Sequence, residues 1–109
     1  MPTEIEPRAI NELIKKYDYV LIDFYSEDCL PCLLMEPIVR ELEREYRLVA
    51  FRVDAKKYEK EVEGLGITHY PTVKVYVKGK EVLEIKGVPK TEAYKRIASL
   101  IEGKGIPKR

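Results

Sequence analysis

Two cysteines three positions apart, Cys29 and Cys32, are the only thiols in this 109-residue chain. Side chains at i and i+3 of a helical turn have Cβ atoms about 5–6 Å apart, so a modest adjustment brings two sulfurs to disulfide geometry. The pair can open and close without rebuilding anything larger. The segment Cys29-Leu30-Pro31-Cys32 follows a nearly continuous apolar run, Tyr19–Tyr25, and opens a helix-patterned stretch to about Tyr46. A CxxC at such a strand-to-helix junction reads as a dithiol redox site. Free backbone N–H groups and the positive end of the helix dipole stabilise a thiolate at a helix N-terminus. Cys29, at or just before that terminus, is expected to be the attacking nucleophile. Cys32, inside the first turn and more shielded, is expected to resolve the mixed disulfide. Pro31 fixes φ where a missing N–H costs little and so pre-organises the turn.

Two plainer readings compete. A purely structural cross-link is disfavoured, because bridging so small a loop removes little chain entropy. A closed metal site wants about four ligands. Beyond the two cysteines this chain offers only His69 and carboxylates, so a cluster shared between two chains is the stronger form of that reading. The expectation is no metal and no bound cofactor.

Asp23 interrupts the apolar run six residues before Cys29. An ionised carboxylate buried without a partner is costly, so its pKa should be raised. Such a group beside the thiols can take the proton of Cys32 as it attacks and return it later. The alternatives are an Asp turned outward at a strand end, or one held by structural hydrogen bonds. The neighbouring CxxC favours the catalytic role. Tyr70-Pro71-Thr72 is the third feature, since an X-Pro bond just before a strand is a candidate for the cis form. His69, the single histidine, reads as a solvated loop residue, with a proton or substrate contact as the alternative.

The elements that must position these residues follow from periodicity. Ile10, Leu13, Ile14 and Tyr17 recur at helical spacing, so residues 7–17 form an amphipathic helix with Pro7 in its first turn. Thr3-x-x-Glu6 offers a capping box, and Glu6 before Pro7 an equally good start. Tyr19–Tyr25 is too apolar on both faces for a half-exposed strand and reads as a central one. Met35, Ile38, Val39, Leu42 and Tyr46 mark the next helix, which Pro37 should kink. Leu48–Val53 is a strand reached by a right-handed parallel crossover. A short helix over 57–65 follows, then the alternating strand Thr72–Val77, a turn at Lys78-Gly79-Lys80, a strand Glu81–Ile85, and a last helix through Tyr94, Ile97, Ala98 and Ile101. Residues 1–109 are expected to form one domain, with 103–109 a frayed tail. The order describes an α/β protein with helices on both faces of a mixed sheet.

Composition narrows the function classes. Twenty basic and nineteen acidic residues are interspersed to a net charge of +1, which is no footprint for nucleic acid. No apolar run approaches the roughly 20 residues of a membrane span. The segment up to Lys16 lacks the apolar core of a secretory signal. The expectation is a soluble, cytoplasmic protein that binds neither nucleic acid nor membrane. Charged residues make up 36% of the chain, Asn11 is the only Asn and Gln is absent. That composition points to a thermostable protein.

Together these features resemble the thioredoxin family, from about Ile10 to Ile101. The matching residues are Val20-Leu21-Ile22-Asp23-Phe24-Tyr25, Cys29-Leu30-Pro31-Cys32 with Pro37 five residues later, Val53-Asp54, Gly66-Ile67-Thr68-His69-Tyr70-Pro71-Thr72, and Gly87. The resemblance implies a thioredoxin fold, a central mixed sheet of four or five strands flanked by helices on both faces. It implies that Pro71 is cis and packs against the disulfide, that the Tyr70 backbone binds the substrate chain in extended fashion, and that Asp23 is the family's buried acid. The implied activity is reduction of disulfides in target proteins by a monomer, which a thioredoxin-reductase-type partner then recharges. The alternatives are a disulfide isomerase or oxidase, a glutaredoxin-like activity, or a non-enzymatic binding module. The chain lacks an obvious glutathione-binding Gly-Gly pair and a basic residue near the cysteines.

Several positions depart from the family. Leu30 stands where Gly is usual, Asp28 where Trp is usual, and Ala50 where a Lys commonly neighbours the buried acid. Glu27 and Asp28 should raise the pKa of Cys29 relative to a neutral flank, and loss of the Lys should push Asp23 further up. Leu30 adds an apolar contact at the rim, which should narrow or change the set of protein substrates. The short N-terminus leaves room for the first strand of longer members to be missing.

Overall fold

The computed structural model describes residues 3–87 and 89–109. Five strands form one sheet in the order β1-β3-β2-β4-β5. They are β1 (Thr3–Glu4), β2 (Tyr19–Tyr25), β3 (Val49–Asp54), β4 (Thr72–Val77) and β5 (Lys80–Lys86). β1, β2 and β3 run parallel; β4 is antiparallel to β2, and β5 to β4. The helices are α1 (Ile10–Lys16), α2 (Leu30–Glu45), α3 (Glu59–Gly64) and α4 (Ala93–Gly103). The first strand is therefore present, but only two residues long. The first helix begins at Glu6, whose extended backbone leads into a 3-10 turn over Pro7–Ala9, and not at a Thr3 capping box.

β2 is the middle strand, which explains its apolar sequence. Its alternate residues feed two separate cores. Leu21 joins Met35, Val39 and Leu42 of α2 and Ile97, Ala98 and Ile101 of α4 on one face. Val20, Ile22 and Phe24 join Ile10 and Ile14 of α1 and Val62 of α3 on the other. α2 continues through Pro37 to Glu45. The β4–β5 hairpin turns at Lys78 and Gly79, both at positive φ (49° and 85°), the backbone that two-residue hairpin turns need and that glycine adopts freely.

The C-terminal segment corrects the expectation of a frayed tail. Ile106 is buried in the α2–α4 core. Gly105 turns the chain at φ 82°, and residues 106–109 then run back along the end of α2. Tyr46 and Lys108 form an antiparallel bridge, Arg47 N–H donates to Pro107 O and Arg109 N–H to Glu45 O. The Arg109 guanidinium donates to the carbonyls of Glu43 at 2.8 Å and Leu48 at 3.0 Å. Polar composition suggested solvent; one apolar side chain and a set of backbone bonds tie the segment down. Ile106→Ala is expected to cost about 2–4 kcal/mol in chemical denaturation, whereas truncating a frayed tail would leave stability within about 0.5 kcal/mol.

Candidate active site

The strand-to-helix junction after β2 places both cysteines as the spacing predicts. Cys29 is the N-cap of α2, with extended backbone (φ −116°, ψ 101°), and its sulfur accepts from the Cys32 N–H at 3.2 Å. The Cys29 carbonyl accepts from Cys32 and Leu33 N–H at 3.1 and 3.2 Å. The N-terminal N–H groups of the helix are thus turned toward Cys29, where they favour negative charge on sulfur. Cys32 lies inside the first turn and is 2% exposed, whereas Cys29 is half-buried. The two are joined by a disulfide, with Cα atoms 5.2 Å apart. Pro31 falls within the first two helical positions.

Asp28, just before Cys29, sits at φ 58°, a left-handed conformation that Asp tolerates better than most residues with a Cβ. Asp28 and Glu27 are exposed, and Lys56 Nζ lies 4.0 and 3.8 Å from their carboxylates. Their charge beside Cys29 is therefore partly balanced, by a lysine that lies far away along the chain.

The Tyr70–Pro71 bond is cis. This loop brings the Tyr70 carbonyl oxygen to 3.9 Å from Cys29 Sγ. Thr72 Oγ1 donates to His69 O at 2.6 Å, and Gly87 N–H donates to Pro71 O at 3.0 Å, anchoring the loop to the end of β5. His69 is exposed, with its Nδ1 3.1 Å from Thr68 Oγ1. On the outer surface Leu30, Leu33 and Leu34 are 67%, 63% and 50% exposed, an apolar rim along the start of α2.

Asp23 is fully buried, and neither carboxylate oxygen has a hydrogen-bond partner among the described residues. It lies on the sheet face that carries Leu21, the face covered by α2, because alternate strand residues share a face. Ala50 in place of the usual Lys does not leave Asp23 without a basic neighbour. Ala50 does occupy the position opposite Leu21, but two residues on, Arg52 is in register with Asp23, with its Nε 3.7 Å from Asp23 Oδ2. Arg52 also lines a groove shared with Tyr25, Glu27, Asp28, Cys29, Cys32 and Glu36, so a basic group stands near the cysteines after all. The sequence signal was present as the one charge within the apolar run Leu48–Val53. Only strand register shows that it meets Asp23. Burial pushes the Asp23 pKa from 3.8 to about 7; Arg52 opposes the rise, and Glu36 and Glu4 add to it.

The raised pKa has a sign for stability. Folded Asp23 binds its proton more tightly than unfolded Asp23, so stability from this group is full below about pH 4 and is lost as pH rises to about 7. Asp23→Asn is expected to raise stability above pH 7 by up to about 4 kcal/mol, since each tenfold change in proton affinity is worth about 1.4 kcal/mol. It should also flatten the pH dependence between 4 and 7. Denaturant titrations at pH 5 and 8.5 check this; equal responses to pH in both proteins would refute it.

Comparisons with known proteins agree with this geometry. The Thioredoxin family model matches residues 2–101. Thioredoxin 1 of Plasmodium falciparum is 32% identical over 66 residues, which cover 60% of this chain and 64% of that protein; the match thus spans slightly less than two thirds of that relative's length. A mutant thioredoxin from Halobacterium salinarum NRC-1 superimposes with a TM-score of 0.82 at 24% identity, covering 94% of this chain and 88% of that one. Another solved structure, a complex of ferredoxin: thioredoxin reductase and thioredoxin f2, matches with a TM-score of 0.77 at 27% identity, over 94% of each chain. With a dithiol at a helix N-cap, a cis-proline loop against it and a buried acid on the central strand, the chain belongs to the thioredoxin family.

Proposed function

We propose that this protein is a dithiol–disulfide oxidoreductase that reduces disulfides in target proteins. The observation that carries this reading is the asymmetry of the pair. Cys29 is half-buried and its sulfur accepts a backbone N–H at the helix N-cap, while Cys32 is buried inside the first turn. In the reduced form the Cys29 thiolate attacks a target disulfide and displaces one target sulfur as a thiolate, which takes up a proton. Cys32 passes its proton to the Asp23 carboxylate and attacks Cys29 Sγ. The second target sulfur leaves as a thiolate and is protonated, and the Cys29–Cys32 disulfide closes. Two electrons have passed to the target, and a reductase partner returns them.

Target chains dock in extended form against the Tyr70 backbone, beside buried Pro71. Leu30 and Pro31 shape the rim, and the exposed Leu33 and Leu34 favour targets with apolar surface next to the disulfide. Asp28 adds a negative edge that Lys56 tempers. The complex of ferredoxin: thioredoxin reductase with thioredoxin f2 supports a reductase partner here. Among the described residues no helix is long and apolar enough to cross a membrane. We read the protein as a cytoplasmic monomer.

Cys32→Ser is expected to accumulate mixed disulfides with targets, and Cys29→Ser is not. Equal trapping by both would overturn the assigned roles. In the same preparation the wild-type couple should equilibrate with redox buffers near about −270 mV; a value of about −180 to −120 mV would make it an isomerase or oxidase.

The many Lys, Glu and Arg side chains form networks as well as isolated pairs. Arg52 meets Glu4, Asp23 and Glu36, and Lys74 meets Glu81 and Glu84. Such networks gain value at high temperature, where the cost of desolvating charge falls. A thermal midpoint above about 90 °C is expected in calorimetry, and one near 50 °C would exclude the thermostable reading.

A further inference from the structure

Arg52 is shared. Its Nε faces Asp23 Oδ2 at 3.7 Å, while Nη1 faces Glu4 Oε2 at 3.6 Å and Glu36 Oε2 at 3.9 Å. One cation thus serves three carboxylates: Asp23 fully buried, Glu36 partly buried and Glu4 exposed. The guanidinium carbon lies 3.9 Å from the centre of the Tyr25 ring, and the Tyr25 hydroxyl donates to Glu4 at 3.0 Å. Glu36 is held in turn by Arg40 at 3.1 Å. Glu36 lies four residues after Cys32, on the same face of α2, and it lines the groove that contains both cysteines and Arg52.

We propose that Arg52 and Glu36 are positioning residues for the resolving step. Arg52 holds the Asp23 carboxylate ready as a base, and Glu36, by sharing the guanidinium, weakens that hold enough for Asp23 to take the proton of Cys32. This rests on the reading of Asp23 as the proton acceptor. An Arg committed to Asp23 alone would stabilise the carboxylate so well that it would accept a proton poorly. A buried Asp with no Arg would stay protonated and could accept none. Three carboxylates around one cation place the group between these limits.

Among the described residues the charged groups that face Asp23 are few. β3 supplies Arg52, α2 supplies Glu36, and β1 supplies Glu4; on β4 the residue in register is Val73, which carries no charge. Tyr25 shares the β2 face and reaches the network through Glu4 and Arg52. The charges that act on the acid thus come from three elements, and one of them is the helix that carries the dithiol.

The test uses two readouts on the full-length protein. The first is the pH titration of the Asp23 carboxyl carbon, followed by carbon NMR in the oxidised state. The second is the pH profile of the resolving step, read in stopped flow as release of the second thiol from a disulfide-linked peptide. Glu36→Gln removes a negative charge and should move both midpoints down by about 0.5 pH unit or more, the scale of a partly solvated charge a few ångströms away. Arg52→Met should move both up by at least as much, and Arg52→Lys should restore most of the change. A merely structural role would lower stability and leave both midpoints where they were; that result overturns the proposal. If Arg52→Met does not fold, Glu36→Gln and Arg52→Lys still decide it. A carboxyl titration that moves while the resolving profile stays fixed also overturns it, and assigns the failure to Asp23 as acceptor and not to the charge network.

Discussion

A carboxylic acid in the centre of the middle strand is the constraint around which this protein is arranged. Asp23 sits in β2 with core residues on either side and is completely shut off from solvent. Placing an ionised carboxylate there is expensive, and burial outweighs every neighbouring charge in setting its protonation. Among the described residues the sheet offers one compensation, Arg52, which arrives by register from β3 and is itself stacked on Tyr25. Compensation is incomplete, because the same guanidinium is drawn toward Glu4 and Glu36. The burial of this group favours the fold at low pH and costs stability at neutral pH, where the carboxyl ionises.

The dithiol is built from different physics. The helix N-terminus must satisfy its N–H groups, and Cys29 does so with its own sulfur at the N-cap. That requirement exposes one sulfur and draws the other into the first turn. The cis-proline loop closes the other side and sets the Tyr70 carbonyl against Cys29, while its own backbone is tied to β5 through Gly87. None of these contacts is large in energy. Together they leave the two sulfurs unequal in exposure and in hydrogen bonding, and a device that accepts a disulfide at one sulfur and releases it from the other depends on that inequality.

Element order was legible because the periodicities were clean. Val20 to Phe24 could only be a strand buried on both faces, and the helix after Cys32 carried its apolar positions at regular spacing. The docked tail is not legible in the same way, because local polarity says little about a segment that docks through Ile106 and through backbone bonds to Arg47 and Glu45. Asp23 stood out as a charge in an apolar run. Arg52 stood out in the same way, but its partner did not, because nothing local distinguishes an arginine turned to solvent from one aligned with a buried acid one strand away.

Chain-local information was enough for the dithiol, its place at a strand-to-helix junction, the order of the elements and the presence of an acid in the central strand. These are properties of neighbours along the chain, set by spacing, capping and periodicity. Which charges meet is a matter of how the elements pack: Arg52 with Asp23, Glu36 and Glu4 with Arg52, Lys56 with Glu27 and Asp28. Strand register and helix placement fix those distances, and electrostatic energy in a low-dielectric interior depends on distance and burial rather than on separation in sequence.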